Sequence, residues 1–347
     1  MSDAYTAWWI DDDPDRRESA EVLEGRSNRL AVEFEEASEV ARELWFGAES
    51  TDGEGEATDP SEAPIVPDGG PDIILLDWKL YEDGQFGGTG KSIVGILRDK
   101  FSGTPMYGFS SEVDLIDESV FDDTFDVDKL VRAAEQVVSD IDDYRLIEEN
   151  GESIETLVDC LEPPETDAES VKKLVPRTLA DGLTADDEEA TKVAFAEWIR
   201  DDFLSRPGLL LDRTWTATKL GVEPEVLDER EEILLDADVE NQTYSGVFEP
   251  SETLWWKSKL IDTLVHLDIE SGGSGQFMNT WEKGAELLGA DSEDESTCAV
   301  CGDRFPETVA AADPSEKRAE HPVHFRCSDV YKSRMGSYAD FRVADEL

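Results

Sequence analysis

The sequence predicts an α/β protein with a doubly wound, five-stranded parallel domain, then a mainly α-helical region and a small module rich in Cys and His. Three observations support this prediction. Short apolar runs alternate with amphipathic stretches over residues 1–148, as in a parallel sheet wrapped by helices. Apolar residues then recur at helical spacing over residues 195–203. Three of the four cysteines crowd near the C-terminus beside two of the three histidines.

Composition and charge limit the class of protein. The chain has 347 residues, with 84 Asp and Glu against 31 Lys and Arg, a formal net charge of -53 that is spread along its length. A hydrophobic content of 39% with nine Trp is that of a folded protein. Because salt at about 1 M shortens the Debye length to roughly 3 Å, we expect a halophilic protein. Such acidity disfavours nucleic acid as a partner and leaves that class open.

The same sequence bears on compartment. It contains no run of 18 apolar residues, and Asp11, Asp12 and Asp13 stand where a signal peptide would need an apolar centre. Four cysteines in 347 residues are no disulfide framework. We therefore expect a cytoplasmic protein without a membrane partner.

The first domain, residues 1–148, is predicted from five apolar runs. The predicted strands are residues 7–10, 30–34, 73–76, 105–109 and 120–121. The predicted helices are residues 14–23, 38–46, 90–100, 113–117 and 127–146. Residues 48–71, rich in Gly, Glu, Asp, Pro and Ser, lack apolar periodicity and indicate an acidic surface insertion.

The middle region, residues 149–290, is predicted to be a helical output domain. Helices are expected over residues 195–203, 209–220 and 254–267, with a loop at 223–250 that holds a short strand near 244–248. Trp255 and Trp256 suit either core packing or a partner-binding or nucleic-acid-stacking edge. No nucleophile–base pair or open metal site is evident, so we expect the protein not to be an enzyme.

Carboxylates follow two strands of the predicted sheet. Asp11 and Asp12 come directly after the first strand, and Asp77 comes after the third. Since loops at the carboxyl ends of neighbouring parallel strands meet in one crevice, these three side chains should converge there and attract Mg. Ser110 ends the fourth strand at the same edge. Acids, metal and hydroxyl together indicate a phosphoryl-transfer site with Asp77 as the nucleophile.

These residues resemble a known family, the receiver domains of two-component response regulators, over about residues 1–146. The resemblance depends on Trp-Trp-Ile-Asp-Asp-Asp-Pro at 8–14, on Asp-Ile-Ile-Leu-Leu-Asp-Trp-Lys-Leu at 72–80, on Ser110, and on Phe-Asp-Val-Asp at 125–128. It implies a flavodoxin-like fold. It also implies that Asp77 is the phosphoacceptor, that Asp11 and Asp12 are the Mg-binding pair, that Lys79 is a metal ligand through its backbone carbonyl, and that Ser110 is the switch hydroxyl.

One departure from the family concerns the fifth strand. Receiver domains end it in Lys-Pro-Phe, whereas the aligned residues here are Asp123, Thr124 and Phe125. An acid would then stand where a cation should offset the phosphoryl charge. Two interpretations follow: a working receiver in which Lys91 or salt cations substitute for the missing Lys, or a pseudo-receiver that serves as a docking platform.

The C-terminal module, residues 291–347, carries two short-spaced ligand pairs. Cys298 and Cys301 form a CxxC knuckle, and His324 and Cys327 follow as an HxxC pair. Two such pairs suit a tetrahedral zinc site, with His321 as the competing ligand. The arrangement resembles a treble-clef zinc finger, and four protein ligands would make the site structural.

Together these predictions describe a two-component-type signalling protein. Phosphorylation or docking at the receiver, by a histidine kinase or another signalling protein, would regulate a helical and zinc-binding output module that binds a protein partner. The alternative is a DNA-binding transcriptional regulator with a receiver input. An enzyme with an unrecognised site in the middle region is the third and weakest interpretation.

Overall fold

A computed structural model describes residues 4–46, 70–80, 90–183, 188–205, 208–291, 293–299, 301–304, 309–310 and 323–324. The chain divides into two compact units. The first comprises Met1–Gly151 and Gly182–Ala196, and the second comprises Glu152–Asp181 and Glu197–Leu347. Most of the predicted acidic insertion lies outside the described residues. The predicted division into three domains stays a prediction.

The first unit is built on a five-stranded parallel sheet. Its strands are β1 (Tyr5–Asp11), β2 (Leu30–Glu36), β3 (Ile73–Asp77), β4 (Met106–Ser110) and β5 (Asp123–Asp126). They are ordered β2-β1-β3-β4-β5, with every pairing parallel. This is the flavodoxin-like doubly wound order, and the fold-class prediction is confirmed. The first four residues of β3 are fully buried, as expected for a central strand covered on both faces.

Helices flank this sheet. They are α1 (Arg17–Glu24), α2 (Ala37–Phe46), α3 (Gly90–Lys100), α4 (Val127–Leu130) and α5 (Ala134–Glu149). A 3-10 turn, Pro14–Arg16, precedes α1; the Asp13 side chain caps it by accepting the backbone N–H of Asp15 at 2.9 Å. In α3, Ile93, Val94 and Leu97 point into the core at helical spacing.

Three predictions for the first unit are wrong in detail. Residues 120–121 form no strand: Phe121 is a buried loop residue whose ring covers Gly108, so close that a Cβ at Gly108 would lie 2.6 Å from it. The fifth strand lies three residues later, where its Asp-Thr-Phe-Asp sequence carries little β-propensity. The predicted helix at 113–117 is replaced by 3-10 turns, Val113–Leu115 and Glu118–Val120. The predicted helix at 127–146 is broken between α4 and α5.

The second unit is mainly helical, with short strands. Its elements, with α9 beginning in the first unit, are α6 (Ile154–Asp159), α7 (Ala168–Leu174), α8 (Arg177–Gly182), α9 (Glu188–Trp198), a π-helical segment (Ile199–Phe203), β6 (Leu210–Leu211), α10 (Arg213–Leu220), α11 (Pro224–Leu235), β7 (Trp255–Trp256), α12 (Lys257–Glu270), α13 (Thr280–Leu287), β8 (Val309–Ala310) and β9 (Val323–His324). Within the described ranges, no helix is both long and apolar enough to cross a bilayer.

The middle region also differs from its predictions. The predicted loop at 223–250 contains α11, whose start is marked by Pro224 at its first position. No strand forms at 244–248; only Thr243 pairs, in an isolated antiparallel bridge to Trp255. The helices predicted from residues 209 and 254 begin only after β6 and β7. Trp255 and Trp256 are 1% and 0% exposed, so they belong to the core and form no stacking edge.

Candidate functional site

The carboxyl edge of the sheet brings three acidic side chains together. Asp11 ends β1 and Asp77 ends β3, and the parallel register, with Ile10 opposite Leu76, places them side by side. Carboxylate oxygens of Asp11, Asp12 and Asp77 all lie within 4.8 Å of one another. The structure therefore places these predicted site residues in one cluster.

Local hydrogen bonds fix the cluster. The Asp11 carboxylate accepts the backbone N–H of Asp13 at 2.9 Å and the indole N–H of Trp9 at 3.4 Å. The Asp77 carboxylate accepts the backbone N–H of Lys79. Asp11 is only 1% exposed, whereas Asp12 is exposed. The acids are thus held at the floor and rim of one crevice.

Burial and mutual repulsion make this cluster unfavourable when fully ionised. Burial, and then the charge of Asp11, raises the pKa of Asp77 to about 7. Burial likewise raises the pKa of Asp11 to about 6, with the charge of Asp12 adding to the effect. The charge of Arg16 lowers the pKa of both Asp11 and Asp77.

The donor set fits a divalent cation. It consists of carboxylate oxygens alone, the ligands that Mg prefers, in a cluster narrow enough for one ion. Burial and the neighbouring acids disfavour the ionised carboxylates of Asp11 and Asp77 and so raise their pKa, and a bound cation would offset both effects. The backbone of Lys79 lies in the turn that follows β3, beside Asp77.

Ser110 lies on the neighbouring strand at the same edge. It ends β4 next to β3 and is 1% exposed. Its Oγ accepts the backbone N–H of Glu112 at 3.1 Å. The Glu112 carboxylate in turn pairs with Lys79 Nζ at 2.6 Å. A chain of contacts therefore links the loop after β4 with the turn after β3, on either side of Asp77.

Asp123, which the family alignment placed beside the phosphoacceptor, lies elsewhere in the structure. Asp123 begins β5 opposite Tyr107, so it lies at the amino end of the strand, away from the cluster. The residue level with Ser110 is Asp126. Its carboxylate caps α4 by accepting the N–H of Asp128 at 2.9 Å and that of Lys129 at 3.3 Å. A capping acid, and no lysine, therefore ends β5.

Sequence reasoning missed two charged residues near the cluster. Arg16 acts on Asp11 and Asp77 through its charge, because the turn begun by Pro14 brings it back over the edge. The signal was available, since Asp13 and Pro14 form a helix-start pattern that places Arg16 one turn above Asp11. Glu112 gave no such signal, because its pairing with Lys79 depends on two loops from different strands.

The described part of the predicted zinc module is a tight turn. The N–H of Gly302 donates to the Cys298 carbonyl at 2.8 Å, and the N–H of Cys298 donates to the Asp303 carbonyl at 2.8 Å. Gly302 has a φ of 73°, which a glycine adopts without strain. Cys298 is buried and Cys301 is exposed. His324 is in β9, and His321 and Cys327 lie outside the described residues.

Comparisons with known proteins add little to this geometry. No protein-family model matches the chain, and no curated protein is similar to it in sequence. A similar solved structure is that of the Salmonella typhimurium RcsB response regulator, from work on conformational dynamism for DNA interaction. The match covers 84% of this chain and 95% of the RcsB chain, with 10% sequence identity and a TM-score of 0.28. Such a score does not establish a common fold, so the fold assignment depends on the strand order of the first unit.

Proposed function

We propose that the chain is a two-component-type signalling protein, in which the first unit is a receiver-like domain that regulates a protein-binding output module. One observation carries this proposal. Asp11, Asp12 and Asp77 converge at the carboxyl edge of a β2-β1-β3-β4-β5 sheet, with the buried Ser110 on the next strand. Ligands of doubly wound sheets bind at this edge.

In this proposal Asp77 is the phosphoacceptor. One of its carboxylate oxygens attacks the phosphorus of a donor, an acyl-phosphate bond forms, and the bond from phosphorus to the donor's leaving atom breaks. Asp11, Asp12 and Asp77, with the backbone carbonyl of Lys79, would hold a Mg ion, which offsets charge on the transferred oxygens when bound. The Ser110 O–H would then donate to a phosphoryl oxygen, and this is compatible with the bond that its Oγ accepts from the N–H of Glu112.

The residues at the end of β5 favour a second form of the same function, in which a signalling protein binds the first unit without phosphorylating it. Asp126 stands at the edge beside Ser110, and its carboxylate is engaged as a helix cap. Arg16 is a cation whose charge acts on Asp77. If Arg16 does not compensate the phosphoryl charge, the first unit serves as a pseudo-receiver that a histidine kinase or another signalling protein contacts without phosphoryl transfer.

The test is the intact mass after incubation with Mg and phosphoramidate in molar KCl, a condition chosen for the net charge of -53. We expect one phosphoryl group on the wild type and none on Asp77→Asn. Asp126→Asn is the matched control, because it changes an acid at the same edge and retains capping ability. No modification of the wild type, while a known receiver domain is modified in the same buffer, would leave only the docking form.

We also propose that the Cys298–Cys301 turn belongs to a structural zinc site completed by His324 and Cys327, with His321 as the alternative to His324. The tight turn and the buried Cys298 support this, since a CxxC pair can hold one metal only when its backbone turns closely. Metal analysis of the purified protein checks it: we expect about one zinc per chain in the wild type and loss of that zinc in Cys301→Ser.

A further inference from the structure

The second unit contains the connectivity of a winged helix-turn-helix. In chain order, the segment Ile199–Phe203 is followed by β6, α10, a short turn, α11, the paired residue Thr243 and β7. β7 lies between the other two strands: Trp255 pairs with Leu211 of β6 and with Thr243. A helix, a strand, two helices and a returning hairpin in this order define that fold, and the hairpin loop, residues 245–253, is the wing.

The turn between α10 and α11 has the chemistry of a helix-turn-helix. The Asp212 side chain caps α10 by accepting the N–H of Trp215 at 2.9 Å. Gly221 ends it with a φ of 74°, and a Cβ there would lie 2.5 Å from the Trp281 carbonyl. Val222 in the turn and Leu227 in α11 join the buried core of this unit. α11 is therefore in the position of a recognition helix.

The wing is bound to the protein's own surface. The N–H of Val247 donates to the Cys160 carbonyl at 3.0 Å, and Ser245 Oγ donates to Glu162 at 2.8 Å. Gly246 packs so closely that a Cβ would lie 2.6 Å from the Leu161 backbone. The first part of the wing is thus held against this unit, and the exposed remainder carries Glu249 and Glu252, whose charges oppose entry into a groove of DNA.

The outward face of α11 is acidic. The helix carries five carboxylates and one guanidinium, and four of the five acids, Glu225, Asp228, Glu229 and Glu232, are exposed on one face. Arg213, in the first turn of α10, is paired with Asp228 at 2.6 Å and with Glu225 at 3.7 Å. Phosphate contacts require cations at these positions, so this face repels nucleic acid.

Exposed aliphatic side chains lie at both edges of this acidic face. Ile233 and Leu235, in the last turn of α11, are 40% and 46% exposed, and because they are two residues apart on the helix they flank the acids on opposite sides. Within the described ranges, the side-chain carboxylates of Glu229 and Glu232, which lie between them, form no hydrogen bond or ion pair. A surface with an apolar contact and carboxylates around it suits a protein partner, which can supply apolar area and cations together.

We propose that the outward face of α11 is the docking surface of the output module, and that its occupant is a protein segment presenting Lys or Arg side chains around an apolar anchor. Charge complementarity selects this occupant over DNA. The proposal deepens the proposed function, because it names the output surface and the chemistry of the partner. It applies whether or not Asp77 accepts a phosphoryl group.

The probe for the test is a fluorescein-labelled helical peptide of Lys and Leu, titrated with the full chain at fixed ionic strength and followed by fluorescence anisotropy. The variant is Glu229→Gln/Glu232→Gln/Ile233→Ser, which leaves the Arg213 pairs intact. The matched control is Glu18→Gln/Glu21→Gln/Val22→Ser on α1, where Val22 is 42% exposed beside exposed Glu18 and Glu21. We expect the α11 variant to bind at least about tenfold more weakly and the α1 variant to change less than about twofold.

Two outcomes would overturn the proposal. Equal weakening by both variants would mean that the peptide senses only net charge. Binding of a random DNA duplex that the α11 substitutions alter would assign this face to nucleic acid. Circular dichroism of each variant separates lost docking from lost folding. Repeating the titration with Asp77→Asn distinguishes this proposal from the phosphoryl-transfer proposal, since the anisotropy result should not change.

Discussion

Two groups of acidic side chains in this chain have similar sequence density and opposite architecture. At the carboxyl edge of the first unit, Asp11 and Asp12 at the end of β1 meet Asp77 at the end of β3, and carboxylate oxygens of the three lie within 4.8 Å of one another. On α11, four exposed acids lie along one convex helix face that is open to solvent, and two of them, Asp228 and Glu225, pair with Arg213. The difference shows that acidity alone does not define a cation site in a chain of net charge -53. A cation site also requires that the acidic side chains converge and are partly buried.

The largest expected effect separates the two groups by Mg affinity. Asp11→Asn keeps the shape of the side chain and removes a carboxylate oxygen charge from the cluster, so we expect Mg binding to weaken by about 100-fold or more. Glu229→Gln/Glu232→Gln should leave the affinity unchanged within about twofold. Isothermal titration of Mg into each protein in molar KCl measures both, and equal losses would contradict the distinction.

The next effect is the pH dependence of the same affinity. The pKa of Asp77 is raised to about 7 and that of Asp11 to about 6, so protons compete with Mg in this range. The apparent affinity should be constant above about pH 8, fall by roughly tenfold per pH unit between about pH 7 and pH 6, and fall by up to about 100-fold per unit below pH 6, where Mg must displace a proton from both carboxyls. Titrations between pH 5 and 8.5 check this, and a flat profile would mean that the cluster is not the Mg site.

Sequence patterns were sufficient for the first four strands of the first unit and for its acidic edge. Parallel strands covered on both faces read as continuous apolar runs, and each Asp that follows such a run must reach the same edge, so Asp11 and Asp77 could be paired across 66 positions. β5 could not be predicted in this way, because Asp123, Thr124 and Asp126 are not apolar and the strand is defined by its pairing with β4.

The second unit was less predictable for a related reason. α11 buries Val226, Leu227 and Leu234 at sparse spacing among acids, so its periodicity is weak although Pro224 marks its start. β6 and β7 are two residues each, too short for an alternating pattern. The winged helix-turn-helix is therefore visible in the pairing of Trp255 with both neighbouring strands and not in any run of residues.

The smallest expected effect is on stability without a divalent cation, and it should be measurable in the first region and almost absent on α11. Because the pKa of Asp11 is higher in the folded protein than the ordinary value of 3.8, ionisation destabilises the fold. That stability is fully present below about pH 4 and is lost as the pH rises through about 6. Asp11→Asn removes the loss, so at pH 8 with EDTA it should increase the free energy of unfolding of the first unit by about 1–2 kcal/mol. At pH 4 the difference should vanish.

The α11 acids provide the comparison for this measurement. Glu229 and Glu232 are exposed, and replacing exposed side chains changes stability by less than about 0.5 kcal/mol. Because the nine Trp residues are spread over both units, the measurement is hydrogen exchange of the backbone amides of β1 and β3 as a function of urea, which reports the first unit alone. If the Asp11→Asn variant is more stable than the wild type and no longer binds Mg, the acidic edge is maintained for binding at a cost in stability. If the variant is less stable than the wild type, Asp11 serves mainly to hold the turn by accepting the N–H of Asp13.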